Sequence, residues 1–152
     1  MGSQKFKFSL DKLLEIREQQ EEESKRIFTE SKRLKMKVES ELNKMVEDYD
    51  NYKGIKPDED VVYQKIKRRY LFALENGIKE KKKELKRRER DLEKKREDLK
   101  KKQVDRKTVS KLKEKQYLSF VKEQNRIEQL NNDEFALYAH MRNVKGGENE
   151  WI

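Results

Sequence analysis

Apolar residues recur along this chain at intervals of three, four or seven, the spacing of helices that pack along a narrow stripe. Near the amino end, Ser9 is placed to cap a helix, Asp11 suits its positive end, and Phe8 can staple against Leu13. A stripe then runs through Leu10, Leu13, Arg17, Gln20, Ser24, Ile27, Ser31, Leu34 and Val38, and Leu42, Met45, Tyr49 and Tyr52 extend it. The step from Val38 to Leu42 follows another step of four, so the heptad is expected to stretch there and unwind the supercoil locally. Polar residues at Arg17, Gln20, Ser24 and Ser31 weaken such a seam and are expected to fix its register.

Gly54 and Pro57 break the pattern, since inside a helix glycine costs about 1 kcal/mol and proline about 3. The spacing predicts a first helix over about 9–53, a turn at about 54–57, a second helix over about 58–145 capped by Asp58 with Glu59 and Asp60 in its first turn, and a flexible tail at 146–152. At about 1.5 Å per residue, the second helix would measure roughly 130 Å against roughly 65 Å for the first. Asn76-Gly77 is a weak point where it could bend. Leu71, Ile78, Leu85, Leu92 and Leu99 fall every seven residues, but the companion seam position between them is usually Lys or Arg. From Val109 the double stripe returns through Leu112, Gln116, Phe120, Glu123, Ile127 and Leu130 toward Tyr138 and Met141. The expected fold is all-α, an antiparallel two-helix coiled-coil hairpin whose second helix is the longer, forming a single domain.

Composition narrows the function more than the fold. With 32% hydrophobic and 47% charged residues, the chain can build a thin helical seam but not a thick core, so function belongs on a surface rather than in a pocket. Cysteine is absent, which excludes a disulfide framework and thiolate metal sites. The longest apolar run, Tyr70 to Leu74, is far short of the roughly 20 residues that span a bilayer, and nothing near Met1 resembles a signal peptide. Residues 79–107 hold sixteen basic and eight acidic side chains, so this stretch carries +8 of the formal +9. Interleaved acids and the lack of an aromatic there argue against nucleic acid as the partner. An exposed, internally paired face or an electrostatic docking surface both fit.

Catalytic motifs are missing: there is no glycine-rich phosphate loop, and His140 is the single histidine. Carboxylates on an exposed helix have no burial to shift their pKa. The residues therefore indicate a non-enzyme without cofactor or metal.

The opening Phe6-Lys7-Phe8-Ser9-Leu10-Asp11-Lys12-Leu13-Leu14-Glu15-Ile16-Arg17-Glu18 resembles the start of the FliJ family of the bacterial flagellar type III export apparatus. Tyr70-Leu71 through Ile78, the Leu85, Leu92 and Leu99 ladder, Leu112-Lys113-Glu114-Lys115-Gln116-Tyr117, Glu123-Gln124 and Asn132-Asp133-Glu134 are similar to that family's second helix. Where the family carries a basic residue directly after Glu-Gln, this chain has Asn125 and then Arg126. The resemblance implies a cytoplasmic, stalk-like coiled coil, peripheral at the inner face of the cell membrane and without direct membrane insertion. Its implied partners are the hexameric export ATPase, whose ring it enters and stimulates, the cytoplasmic domain of the membrane export gate, and export chaperones. It places the ATPase contact at Phe8, Leu10, Leu13, Leu14, Arg17, Gln124, Arg126 and Asp133. The aromatic residues Tyr49, Tyr52, Tyr63, Tyr70 and Phe72 near the turn are candidates for the gate contact, although aromatics at seam positions also serve as core. A generic coiled-coil adaptor and a basic nucleic-acid-binding coiled coil are the alternatives.

Overall fold

The computed structural model describes residues 4–147, and all structural statements concern these. Two helices are present, α1 (Asp11–Tyr52) and α2 (Val61–Gly147), packed antiparallel as a hairpin with α2 the longer. Contacts divide the chain into two units, one formed by residues up to Glu15 with those from Lys107 on, the other by Ile16–Arg106. Of the expected flexible tail, Gly146 and Gly147 belong to α2 and residues 148–152 lie outside the described range.

Both helix starts differ from the capping read in the sequence. The Phe8 carbonyl accepts from the Asp11 amide at 3.2 Å and the Leu10 carbonyl from the Leu14 amide at 2.9 Å, so Leu10 rather than Ser9 occupies the cap position. That turn folds Phe8 inward against Leu14 and Val109, with Phe6 and Leu13 packed on the cluster. At the second start, the Glu59 amide donates to the Lys56 carbonyl at 3.3 Å, closing a turn with Pro57 at the position its fixed φ favours. The turn consumes Asp58, and Asp60 becomes the cap, its carbonyl accepting from the Gln64 amide at 2.9 Å.

In the second unit the connecting loop is held from inside. Gly54 sits at φ 91°, the left-handed conformation that ends α1. Its carbonyl accepts from Lys67 Nζ at 2.6 Å, and the same ammonium meets Glu59 Oε1 at 2.7 Å. That lysine, 7% exposed, replaces an apolar core where the hairpin reverses.

The seam of α1 is not the stripe expected from hydrophobicity. Its inward positions are Leu14, Arg17, Glu21, Ser24, Phe28, Ser31, Lys35, Val38, Leu42, Met45 and Tyr49, in unbroken steps of three and four. Glu21 and Phe28 replace Gln20 and Ile27, Lys35 shares its turn with Leu34, and the stretched heptad at Val38 disappears. Opposite-helix partners decide this choice. Arg106 pairs with Glu21, and Arg96 lies 5.9 Å over the Phe28 ring. Facing α1 in the same period are Leu71, Leu74, Ile78, Lys81, Leu85, Arg88, Leu92, Lys95, Leu99, Lys102, Arg106, Val109 and Lys113, apolar at the first three and alternating apolar with basic from Ile78 to Lys102. Long basic side chains cover the seam with their stems while their charged ends reach water or a carboxylate.

Heptad-spaced rungs set the register within the second unit. Ser24 donates to Asp98 at 3.0 Å, Ser31 donates to Asp91 at 2.9 Å, and Arg17 lies 3.7 Å from Asp105. Further along, Lys81 donates to Glu41 at 2.5 Å. Nearer the turn, a Cβ at Gly77 would stand 3.1 Å from the terminal methyl of Met45. Gly77 is therefore a point of close approach inside a continuous α2.

Candidate functional surfaces

The first unit brings several expected terminal residues together. Phe8 and Leu14 are buried in the cluster with Val109, and Phe6 stacks edge-on to Tyr117 at 5.3 Å and tilted to Phe120 at 5.5 Å. Lys113 ties this end to Asp11 at 2.7 Å. Phe8 and Leu14 thus pack into the chain's own seam, whereas Leu10 is exposed and Leu13 half-buried. Arg17 belongs to the other unit, engaged with Asp105. Gln124 is half-buried, while Arg126 and Asp133 are exposed. Arg126 grips Glu123 through two bonds of 2.7 and 3.0 Å, which hold the Glu123 carboxyl below its usual range and raise the guanidinium.

Beyond Gln124, α2 has no covering partner: residues 125–147 are all exposed. The seam period nevertheless continues through Ile127, Leu130, Glu134, Leu137, Met141 and Val144. Their neighbours Phe135 and Tyr138 are 72% and 61% exposed, so this stretch presents an apolar face that no other element among the described residues covers.

In the second unit, the five turn-proximal aromatics do not form one surface. Tyr52 and Tyr70 meet edge-on at 5.6 Å and close the hairpin, with Tyr49 half-buried in the seam. Tyr63 and Phe72 are both exposed, but at 100° per residue they point to opposite sides of α2. The start of α2 also carries a second stripe. Val62, Ile66, Arg69 and Ala73 recur at steps of four, three and four on the face of α2 turned away from the Leu71–Ile78 seam, flanked by Phe72 and Lys65. Val62, Ile66 and Phe72 are 62%, 61% and 66% exposed. The first turns of α2 are therefore apolar on two faces, a signal visible in the periodicity once the seam is assigned. Lys65, Arg68 and Arg69 give the outer face a positive charge, with no acid between Val61 and Leu74.

In the basic middle of α2 part of the charge is paired with nearby carboxylates, and a net positive charge is left over. Lys81 bonds Glu41 and Glu84, which raise its pKa in that order, while Lys83, Arg96 and Lys100 pair with Glu80, Glu93 and Glu97 one turn away. The grooves beside it are open; one of about 700 Å³ is lined mainly by charged side chains including Glu22, Arg26, Asp91 and Lys95. Among the described residues, no helix is long and apolar enough to cross a membrane.

Two antiparallel helices packed along a seam of period three and four define the class of all-α coiled-coil hairpins. Comparison with known families matches residues 6–145 to the flagellar FliJ protein family, and the chain belongs to that family. It is thereby a protein related to flagellar export. No curated protein and no solved structure matches it.

Proposed function

We propose that this chain is a non-catalytic stalk of the flagellar export apparatus: the end bearing both termini enters the ring of the export ATPase and stimulates hydrolysis, while the region near the hairpin turn contacts the cytoplasmic part of the export gate. The observation that carries this reading is the family match over nearly the whole chain. Two surfaces support it. The unpaired apolar stripe of residues 125–147 has the form of a helix made to be covered by another protein, and Leu10, Arg126 and Asp133 are exposed in the same unit. The outer stripe with Val62, Ile66 and Phe72 supplies an apolar and basic surface for a second partner. Export chaperones are further partners on this reading, and the protein acts at the cytoplasmic face of the membrane.

The experiment separates the two surfaces using exposed residues, because truncating Phe8, Leu14 or Tyr49 would disturb packing as well. Binding of the purified chain to its ATPase and to the gate's cytoplasmic domain is measured by calorimetry. Leu130→Glu with Asp133→Arg is expected to weaken ATPase binding alone, and Ile66→Glu with Phe72→Glu to weaken gate binding alone. Loss of both contacts in either variant, with helicity unchanged, would contradict the assignment.

A further inference from the structure

The unpaired part of α2 is more apolar along its seam than the part that α1 covers. Between Lys81 and Lys102 every second seam position is Lys or Arg, yet Ile127, Leu130, Leu137, Met141 and Val144 leave Glu134 as the one charged residue of this stripe. The period joins the intramolecular seam without a break, so the stripe is cut for a helix and not for a flat surface.

Charge selects which helix. Residues 125–136 carry Arg126 against Glu128, Asp133 and Glu134, and residues 137–147 carry Arg142 and Lys145 with no acid. Laid against itself antiparallel, the segment sets a half of net charge −2 beside a half of net charge +2 in the other copy, with Arg126 facing Lys145 as its one like-charge pair. Laid parallel, it would set Glu134 beside Glu134 and Asp133 near Asp133, which is repulsive. Antiparallel layering also places Ile127 opposite Val144, Leu130 opposite Met141, and Glu134 opposite Leu137, within reach of His140 and Tyr138 across the pair. A buried seam carboxylate matched by a group on the facing helix is what Glu21 and Arg106 already form.

We infer that two copies of this chain pair antiparallel through residues 125–147, each seam covering the other about a two-fold axis. The pairing takes the stripe assigned above to the ATPase, so it holds the free chain in a state that must open before that contact forms. It does not depend on that assignment, and its test contains no ATPase.

Sedimentation of the full chain over a range of concentrations should show mass rising from one copy, 18.6 kDa, to two. Leu137→Glu should weaken pairing by at least about a hundredfold, since each copy loses a buried leucine contact, while leaving helicity intact because Leu137 is 57% exposed in the single chain. The absence of cysteine allows single labels at Asn125→Cys and Lys145→Cys. Labels mixed between copies should lie close, and two Asn125→Cys labels should be separated by roughly 30 Å, the rise of the intervening helix. A chain that stays single at all concentrations, a dimer indifferent to Leu137→Glu, or close Asn125→Cys labels would each overturn the inference.

Discussion

Glu21 and Arg106 make a pair whose two halves should not be equally expensive to remove. The Glu21 side chain is 6% exposed and that of Arg106 is 30% exposed. In Arg106→Ala, the Glu21 carboxylate stays buried in the seam with Lys25 3.5 Å away and itself half in water. Stranding a fully buried charge costs about 3–5 kcal/mol; with Lys25 in partial compensation we expect about 2–4 kcal/mol. In Glu21→Ala, Arg106 turns its guanidinium into solvent and the seam loses one charge-assisted bond, about 1–2 kcal/mol. The difference, about 1–2 kcal/mol, is a factor of ten or so in the unfolding constant. Urea denaturation of both single variants and the double variant, followed by circular dichroism, measures it. The double variant should be less destabilised than Arg106→Ala. If Glu21→Ala costs as much as Arg106→Ala, the pair is solvated and the account of a seam ordered by partnered charges is wrong.

Gly77→Ala should stabilise the hairpin by about 0.5–1 kcal/mol, because helix propensity improves and the flexible end of Met45 can yield the few tenths of an ångström required; a loss of stability would show that Met45 is fixed. Gly54→Ala should cost about 1 kcal/mol, since its φ of 91° strains any residue with a Cβ; an unchanged melting curve would mean the loop re-forms differently. Glu41 is held below the usual carboxylate range by its bond from Lys81, so its contribution is present above that range and is lost as pH falls through the lowered value. Glu41→Gln should therefore flatten the acid limb of stability against pH, and an unaltered limb would remove Glu41 from the account.

Much of the fold was open to reading because helical period and the Gly54–Pro57 break are local properties. The family likeness was legible too, through the order of short segments from Phe6 to Glu134. What escaped depended on residues far away in sequence. Ile27 and Phe28, or Gln20 and Glu21, are consecutive residues about 100° apart around the helix, steps of three and four admit either member, and hydrophobicity alone favours Ile27 for the inside. Arg96 and Arg106 on the other helix reverse both choices, and with them the stretched heptad vanishes. Asp58 looked like a cap because the turn around Pro57 that consumes it requires the Lys56 carbonyl as acceptor. Gly77, a weak point by helix propensity, is also the place where Met45 of α1 comes close, which its own segment does not reveal. The five aromatics near the turn are neighbours in sequence, whereas helical geometry parts Tyr63 from Phe72 and gathers Val62, Ile66 and Ala73 on one outer face.

The central claim is that this chain acts on the export ATPase through the unit bearing its termini. The most direct measurement is the steady-state hydrolysis rate of the purified export ATPase, titrated with this chain and with its Leu130→Glu, Asp133→Arg variant. The account predicts no hydrolysis by the chain alone, a saturable rise in ATPase rate with the native chain, and little rise with the variant at equal helicity. An ATPase rate that does not respond to the native chain, or responds equally to the variant, would contradict it.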